Sequence, residues 1–129
     1  MRVLVACEFS GTVRRAFRAL GHEAFSCDLL PSEDDSPHHI IGDALAVIGE
    51  SWDIVIAHPP CTDLAVSGAR HFAAKRADGR QQRAIEFFLR MWEAPCNKVC
   101  VENPVCIMST ILHKPTQIVQ PWQFGHGET

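Results

Sequence analysis

Two segments of this chain carry the residue types that do covalent chemistry. Cys61 follows two prolines in "AHPPC", residues 57–61, and Glu102 opens "ENP", residues 102–104. A thiolate is a nucleophile and a carboxyl moves a proton, so the pair suits covalent addition assisted by a proton donor. Asn103, beside Glu102, has an amide able to tie neighbouring loops together. The prolines hold Cys61 on rigid backbone outside the preceding apolar run. Cys7, Cys27 and Cys100, by contrast, lie within apolar runs and read as buried strand residues. The six cysteines include no CxxC pair, so neither a zinc site nor a disulfide framework is expected. His58 reads as a strand-end histidine with a structural role, and His38 and His39 have no evident partner.

These side chains need a scaffold, and the chain alternates between element types in a way that supplies one. "RVLVACE" is a short valine-rich run suited to a strand buried on both faces. "FSGTVRRAFRAL" sets Val13, Ala16, Phe17 and Leu20 on one helical face and Arg14, Arg15 and Arg18 on the other, and Gly21 ends it. "HEAFSCD" reads as a second strand, followed by a surface loop rich in proline, serine and acids. Ile40 and Ile41 mark a short strand or turn, with one helical turn through Leu45 and Ile48. "WDIVIAHPPC" is a strand that the prolines must stop. Residues 62–79 read as a long polar loop whose length suggests function. "GRQQRAIEFFLRMWEAP" places Ile85, Phe88, Leu89 and Trp92 at helical spacing. "KVCVENP" is the next strand, and "TQIVQPWQFG" begins another. The three tryptophans read as packing residues.

Strand, helix, strand, helix in this order predicts a single α/β domain over residues 1–129, with a mostly parallel sheet, right-handed crossovers and helices on both faces. In such sheets ligands sit at the carboxyl ends of the strands. Glu8, Asp28, "HPPC" and "ENP" all follow apolar strands and so collect there. Gly11, in the turn after the first strand, lets backbone approach a ligand. Asp28 stands where a carboxylate accepts from ribose hydroxyls. Asp43 either accepts from an exocyclic amine or caps the short helix after it.

Composition bounds these readings. With 47% apolar and 21% charged residues and a mean hydropathy of −0.01, the chain is that of an ordinary globular domain. No apolar run reaches the roughly 20 residues needed to cross a bilayer, and no signal-peptide pattern opens the chain, so it reads as cytoplasmic with no membrane partner. A net charge of −3 leaves any nucleic-acid contact to a local patch. Residues 70–83 provide one: Arg70, Lys75, Arg76, Arg80 and Arg83 face only Asp78. That excess could grip phosphates while a flipped base enters a pocket, or it could be a solvated helix start.

Taken in order, "FSG", Asp28, "GDA", "PPC", "SGARHFAAKRADGRQQR" and "ENP" resemble the motif series of the DNA cytosine-5 methyltransferase family, in the manner of its short, phage-borne members. The resemblance implies a Rossmann-like methyltransferase sheet with S-adenosylmethionine as cofactor and DNA as substrate. It assigns Phe9, Ser10, Gly11, Asp28, Asp43 and Pro59 to the cofactor. Ser67, Arg70, Lys75, Arg76 and Arg80 fall to the nucleic acid. Cys61 would add to carbon 6 of cytosine, with Glu102 and Asn103 completing the catalytic set. The family's target-recognition region and its late segment completing the cofactor pocket have no counterpart before Thr129. A second copy or a separate chain would then complete the site. A non-catalytic domain that binds cofactor or DNA, and a methyltransferase acting on RNA or a free pyrimidine nucleotide, remain the alternatives.

Overall fold

The computed structural model describes residues 1–127 of the 129. Five strands, β1 (Arg2–Ala6), β2 (Glu23–Asp28), β3 (His39–Ile41), β4 (Ile54–Ala57) and β5 (Lys98–Val101), form one sheet in the order β3-β2-β1-β4-β5. Every pairing is parallel. β1 and β2 are joined through α1 (Thr12–Ala19), and α4 (Arg80–Trp92) leads into β5. Order reverses between β1 and β4. Their neighbouring connections leave on opposite faces of the sheet, which opens a crevice above the carboxyl ends at that point.

The alternation of side chains along β1 explains why both faces need cover. Leu4 and Ala6 join Val55 and Ala57 in a core closed by Ala44 and Ile48 around α2 (Ala44–Val47) and by Met91 of α4. Val3 and Val5 face the other way, with Ala24, beneath Val13 and Phe17 of α1. Helices therefore lie on both faces. Each fully buried valine or leucine contributes roughly 1.5–3 kcal/mol relative to exposure, which makes the two central strands the stable heart of the sheet.

Three local expectations are corrected. Arg14 is not on a solvated face of α1: it is 1% exposed, whereas Leu20 is 74% exposed. The reason is a specific set of partners, since the guanidinium donates to Ser26 Oγ at 2.6 Å and to the Asp34 carboxylate. Residues 62–79 are not a long loop but largely helical, with a 3-10 helix at Val66–His71 and α3 at Phe72–Ala77. Residues 116–125 form no strand; Pro121–Phe124 make a 3-10 turn and Trp122 is exposed rather than packed.

Cys100 is also exposed, because β5 is an edge strand on which the Lys98 and Cys100 positions both face outward. A second, smaller core joins Leu64, Phe88, Cys106 and Met108, the last at the start of α5 (Met108–Ile111). It draws the chain after β4 against the chain after β5. Val66 N–H donates to the Val105 carbonyl at 3.0 Å, and Ile107 N–H to that of Leu64 at 3.1 Å. Among the described residues no helix is long and apolar enough to cross a membrane.

Candidate functional site

The turn after β1 is held by two residues the alternation of segments only partly flagged. Glu8 is buried, and its carboxylate accepts from Val13 N–H at 2.9 Å and Arg14 N–H at 3.3 Å. A negative group there satisfies two of the free donors at the start of α1 and complements its dipole. Gly11, which as the helix N-cap has no side chain to do this, adopts a φ of 78°. A Cβ at that position would stand 2.5 Å from Arg14 Nη2 and 2.9 Å from Asp34 Oδ2. The loop thus packs onto the Arg14–Asp34 pair, and a side chain there would have to displace it.

Beside this turn lies a cleft of about 270 Å³ walled by Cys7, Glu8, Phe9, Ser10, Thr12, Val13 and His58. Its residues come from the carboxyl ends of β1 and β4, the place where strand order reverses, and from the first turn of α1. Phe9 is 40% exposed and offers an aromatic face. Asp28, at the end of the neighbouring β2, accepts from Leu30 N–H at 2.9 Å and remains partly exposed. Asp43 caps α2 by accepting from Leu45 N–H at 2.9 Å, so the capping role is the one its geometry shows.

On the other side of the switch point, β4 and β5 run in register with Ala57 opposite Val101. Parallel pairing therefore brings the residues that follow, His58 and Glu102, to the same level. His58 Nδ1 lies 3.4 Å from Glu102 Oε2. Asn103 donates from its amide to the Pro59 carbonyl at 2.9 Å and to the Glu102 carbonyl at 3.0 Å. The same amide thus ties the loop bearing Cys61 to the loop bearing Glu102. Two polar atoms at this junction, His58 Nε2 and Asn103 Oδ1, are buried without a partner among the described residues.

Lys75 and Gln81 extend the clamp. Lys75, expected among the phosphate-gripping cations, is 6% exposed, donates to the Thr62 carbonyl and pairs with Asp63 at 3.5 Å. Buried Gln81 donates to the Asp63 carbonyl at 3.3 Å. Three side chains therefore bind the carbonyls of Pro59, Thr62 and Asp63 on either side of Cys61, which is itself part-exposed. Sequence reasoning missed Gln81, and assigned Lys75 to the surface, because helical spacing does not reveal which carbonyl a polar residue will meet.

The remaining cations are dispersed. Ser67 and Arg70 are exposed on the 3-10 helix, where Arg70 donates to His71 Nε2 at 3.0 Å. Arg76 is exposed on α3. Arg80 pairs with Asp78 at 2.6 Å. Arg80 and Arg83 also line a second hollow of about 260 Å³ with Pro60, Asp63, Ala84 and Phe87, adjoining the Cys61 loop.

Two thiols near the cleft are suppressed as nucleophiles. Burial, reinforced by the nearby Asp28 charge, pushes Cys7 up to about 12 and Cys27 up to about 11. All six cysteines are free, and of those at the carboxyl ends of the central strands Cys61 is the one outside the packed sheet. Comparison of the chain with protein-family models, with curated proteins and with solved structures finds no match in any of the three.

Proposed function

We propose that this chain is the catalytic domain of a Rossmann-like methyltransferase that moves a methyl group from S-adenosylmethionine to carbon 5 of cytosine in DNA. The observation that carries the proposal is the Asn103 amide bound to the Pro59 carbonyl at 2.9 Å, which holds the Cys61 loop against the strand end bearing Glu102. A nucleophile and a proton donor held on adjoining loops above a parallel sheet are the groups that addition to an electron-poor ring needs.

The residues present fit the cofactor. Phe9 and Ser10, with Gly11 in the same turn, would line its place in the cleft at the switch point, Asp28 would accept from the ribose, and His58 would close the far side, while Pro59 is buried outside that lining. Buried His58 Nε2 has no hydrogen-bond partner among the described residues, as expected where a ligand supplies one. The bound cofactor supplies an electrophilic methyl group. Cys61, as thiolate, forms a bond to carbon 6 of the cytosine, and Glu102 donates a proton to ring nitrogen 3, so the charge created by addition is neutralised. Carbon 5 then becomes nucleophilic enough to take the methyl, and the electron pair of the broken S–CH3 bond would stay on sulfur as S-adenosylhomocysteine leaves. Loss of the carbon 5 proton to water expels the Cys61 thiolate, restores the ring double bond and returns the nitrogen 3 proton to Glu102.

One observation favours a second reading, a smaller substrate. Lys75 is buried and Arg80 is paired, which thins the cationic surface, while Phe87, Arg80 and Arg83 line a hollow suited to one nucleotide. Tritium release from carbon 5 of labelled cytosine, tried on DNA, RNA and dCMP, tests both. Release from DNA that disappears in Cys61→Ser, with cofactor binding intact by calorimetry, is the expected result. Release from dCMP alone would favour the nucleotide, and none from any substrate would overturn methyl transfer.

A further inference from the structure

Resting on that reading, we infer that His58 is a cofactor-binding and positioning residue, which holds Glu102 through Nδ1–H and accepts at Nε2 from the ammonium of the cofactor's amino-acid end. Three observations converge on it. His58 Nδ1 faces Glu102 Oε2 at 3.4 Å. The residue forms part of the wall of the cleft at the β1–β4 reversal. Its Nε2 is buried with no partner among the described residues.

The tautomer follows from the partners. The Glu102 oxygen that faces the ring accepts, because the proton Glu102 gives to the base must sit on its other oxygen, so the contact needs the proton on Nδ1, and in the neutral imidazole that leaves Nε2 with a lone pair. A buried acceptor without a donor is costly, roughly 1–3 kcal/mol, so a donor in the adjoining cleft gains by meeting it. Which donor is decided by strand order. Asp28 closes β2, on one side of β1, and His58 closes β4, on the other. A ligand whose ribose is at Asp28 and which crosses above β1 therefore brings its opposite end to His58. For S-adenosylmethionine that end carries an ammonium, a strong donor. Glu8 is the weaker alternative, because both of its carboxylate oxygens already accept, from the Val13 and Arg14 amides. The imidazole then couples two events: filling of the cleft fixes the ring, and the ring fixes the proton donor.

Two variants separate the two nitrogens, because an asparagine amide occupies the place of Nδ1 and a glutamine amide that of Nε2. S-adenosylhomocysteine, which has the ammonium, and methylthioadenosine, which lacks the amino-acid end, are the probes for calorimetry on the full chain. His58→Asn is expected to bind S-adenosylhomocysteine about tenfold more weakly, the loss of one good hydrogen bond, and methylthioadenosine unchanged. His58→Gln is expected to keep S-adenosylhomocysteine within about twofold, its oxygen replacing Nε2. Equal losses for both probes, or none, would overturn the assignment. Nitrogen-15 spectra of the free protein give a reading independent of the cofactor: His58 should carry its proton on Nδ1, and Glu102→Ala should release that preference. An Nε2-protonated ring in the free protein overturns the inference whatever binds. An Nδ1-protonated ring in a chain that binds neither probe overturns the ammonium contact and the methyltransferase reading together, leaving only the Glu102 contact standing.

Discussion

Replacing Gly11 by alanine tests whether the turn after β1 is held as tightly as the structure indicates. Gly11 has a φ of 78°, and an L-residue in the left-handed region costs about 1–2 kcal/mol. Space adds a second penalty. The new Cβ would lie 2.5 Å from Arg14 Nη2 and 2.9 Å from both Arg15 Nη1 and Asp34 Oδ2. Arg14 is 1% exposed and cannot swing into water, so relief requires displacing the Arg14–Asp34 pair. Leaving the buried Arg14 guanidinium poorly matched costs about 1–3 kcal/mol more. The total, about 2–5 kcal/mol, is a large part of the 5–15 kcal/mol typical of a domain. Gly21 is the internal control: its φ is 89° and nothing lies within 4 Å of its Cβ, so Gly21→Ala carries only the backbone penalty, about 1–2 kcal/mol. Urea denaturation of the two variants beside the parent gives the difference directly, with the slope m checked for constancy. Gly11→Ala should be less stable than Gly21→Ala by at least about 1 kcal/mol. Equal midpoints would refute the claim that the turn is braced against Arg14 and Asp34.

Other consequences are open to direct measurement. The Ser32 hydroxyl and the Arg14 and Arg15 guanidiniums hold the Asp34 carboxyl well below the usual carboxylate range. Its unfolded form therefore binds the proton first, so the associated stability is present above about pH 4 and is lost as pH falls further. Asp34→Asn should flatten the acid limb of the stability curve, and an unchanged limb would count against the pairing. At pH 8, Cys7 and Cys27 should hold about one part in a thousand or less as thiolate, given values of about 12 and about 11. Peptide mapping after brief iodoacetamide treatment should find exposed Cys100 modified well before either; simultaneous modification would contradict the burial. Lys75→Met keeps the stem but removes the donor to the Thr62 carbonyl. It should lower stability by about 1–3 kcal/mol and speed hydrogen exchange at Leu64 and Ala65, whereas unaltered exchange would show that the clamp does not hold the Cys61 loop.

Much of the architecture was legible because it depends on local pattern. Valine-rich runs, a glycine after a helix and prolines after an apolar strand act over a few residues, and they mark β1, β2, β4, β5, α1 and α4 in the chain itself. The positions of Glu8, Asp28, Cys61 and Glu102 at strand ends follow from that alternation together with the rule for parallel sheets. The short β3 and α2 were legible as a strand or turn and one helical turn, since Ile40, Ile41, Leu45 and Ile48 are too few to show a period.

What tertiary structure alone decided is which polar groups meet. Arg14 sits among arginines in a pattern that reads as a solvated helix face. It is buried because Ser26 on β2 and Asp34 beyond it converge on its guanidinium, a meeting across elements that no spacing encodes. Lys75 looked like one more cation in a basic run, yet it is enclosed because the carbonyl of Thr62 and the carboxylate of Asp63 lie within its reach. Cys100 looked like a buried strand residue and is exposed because it lies on an edge strand, β5, on the same face as exposed Lys98. His58 read as an ordinary strand end. Its contact with Glu102 exists because β4 and β5 pair in register, Ala57 opposite Val101, and register is a property of the assembled sheet. Residue type and periodicity determined the elements and the chemistry available at their ends, since both are set by neighbours in the chain; the partners of each charged and polar side chain were decided only when distant segments packed.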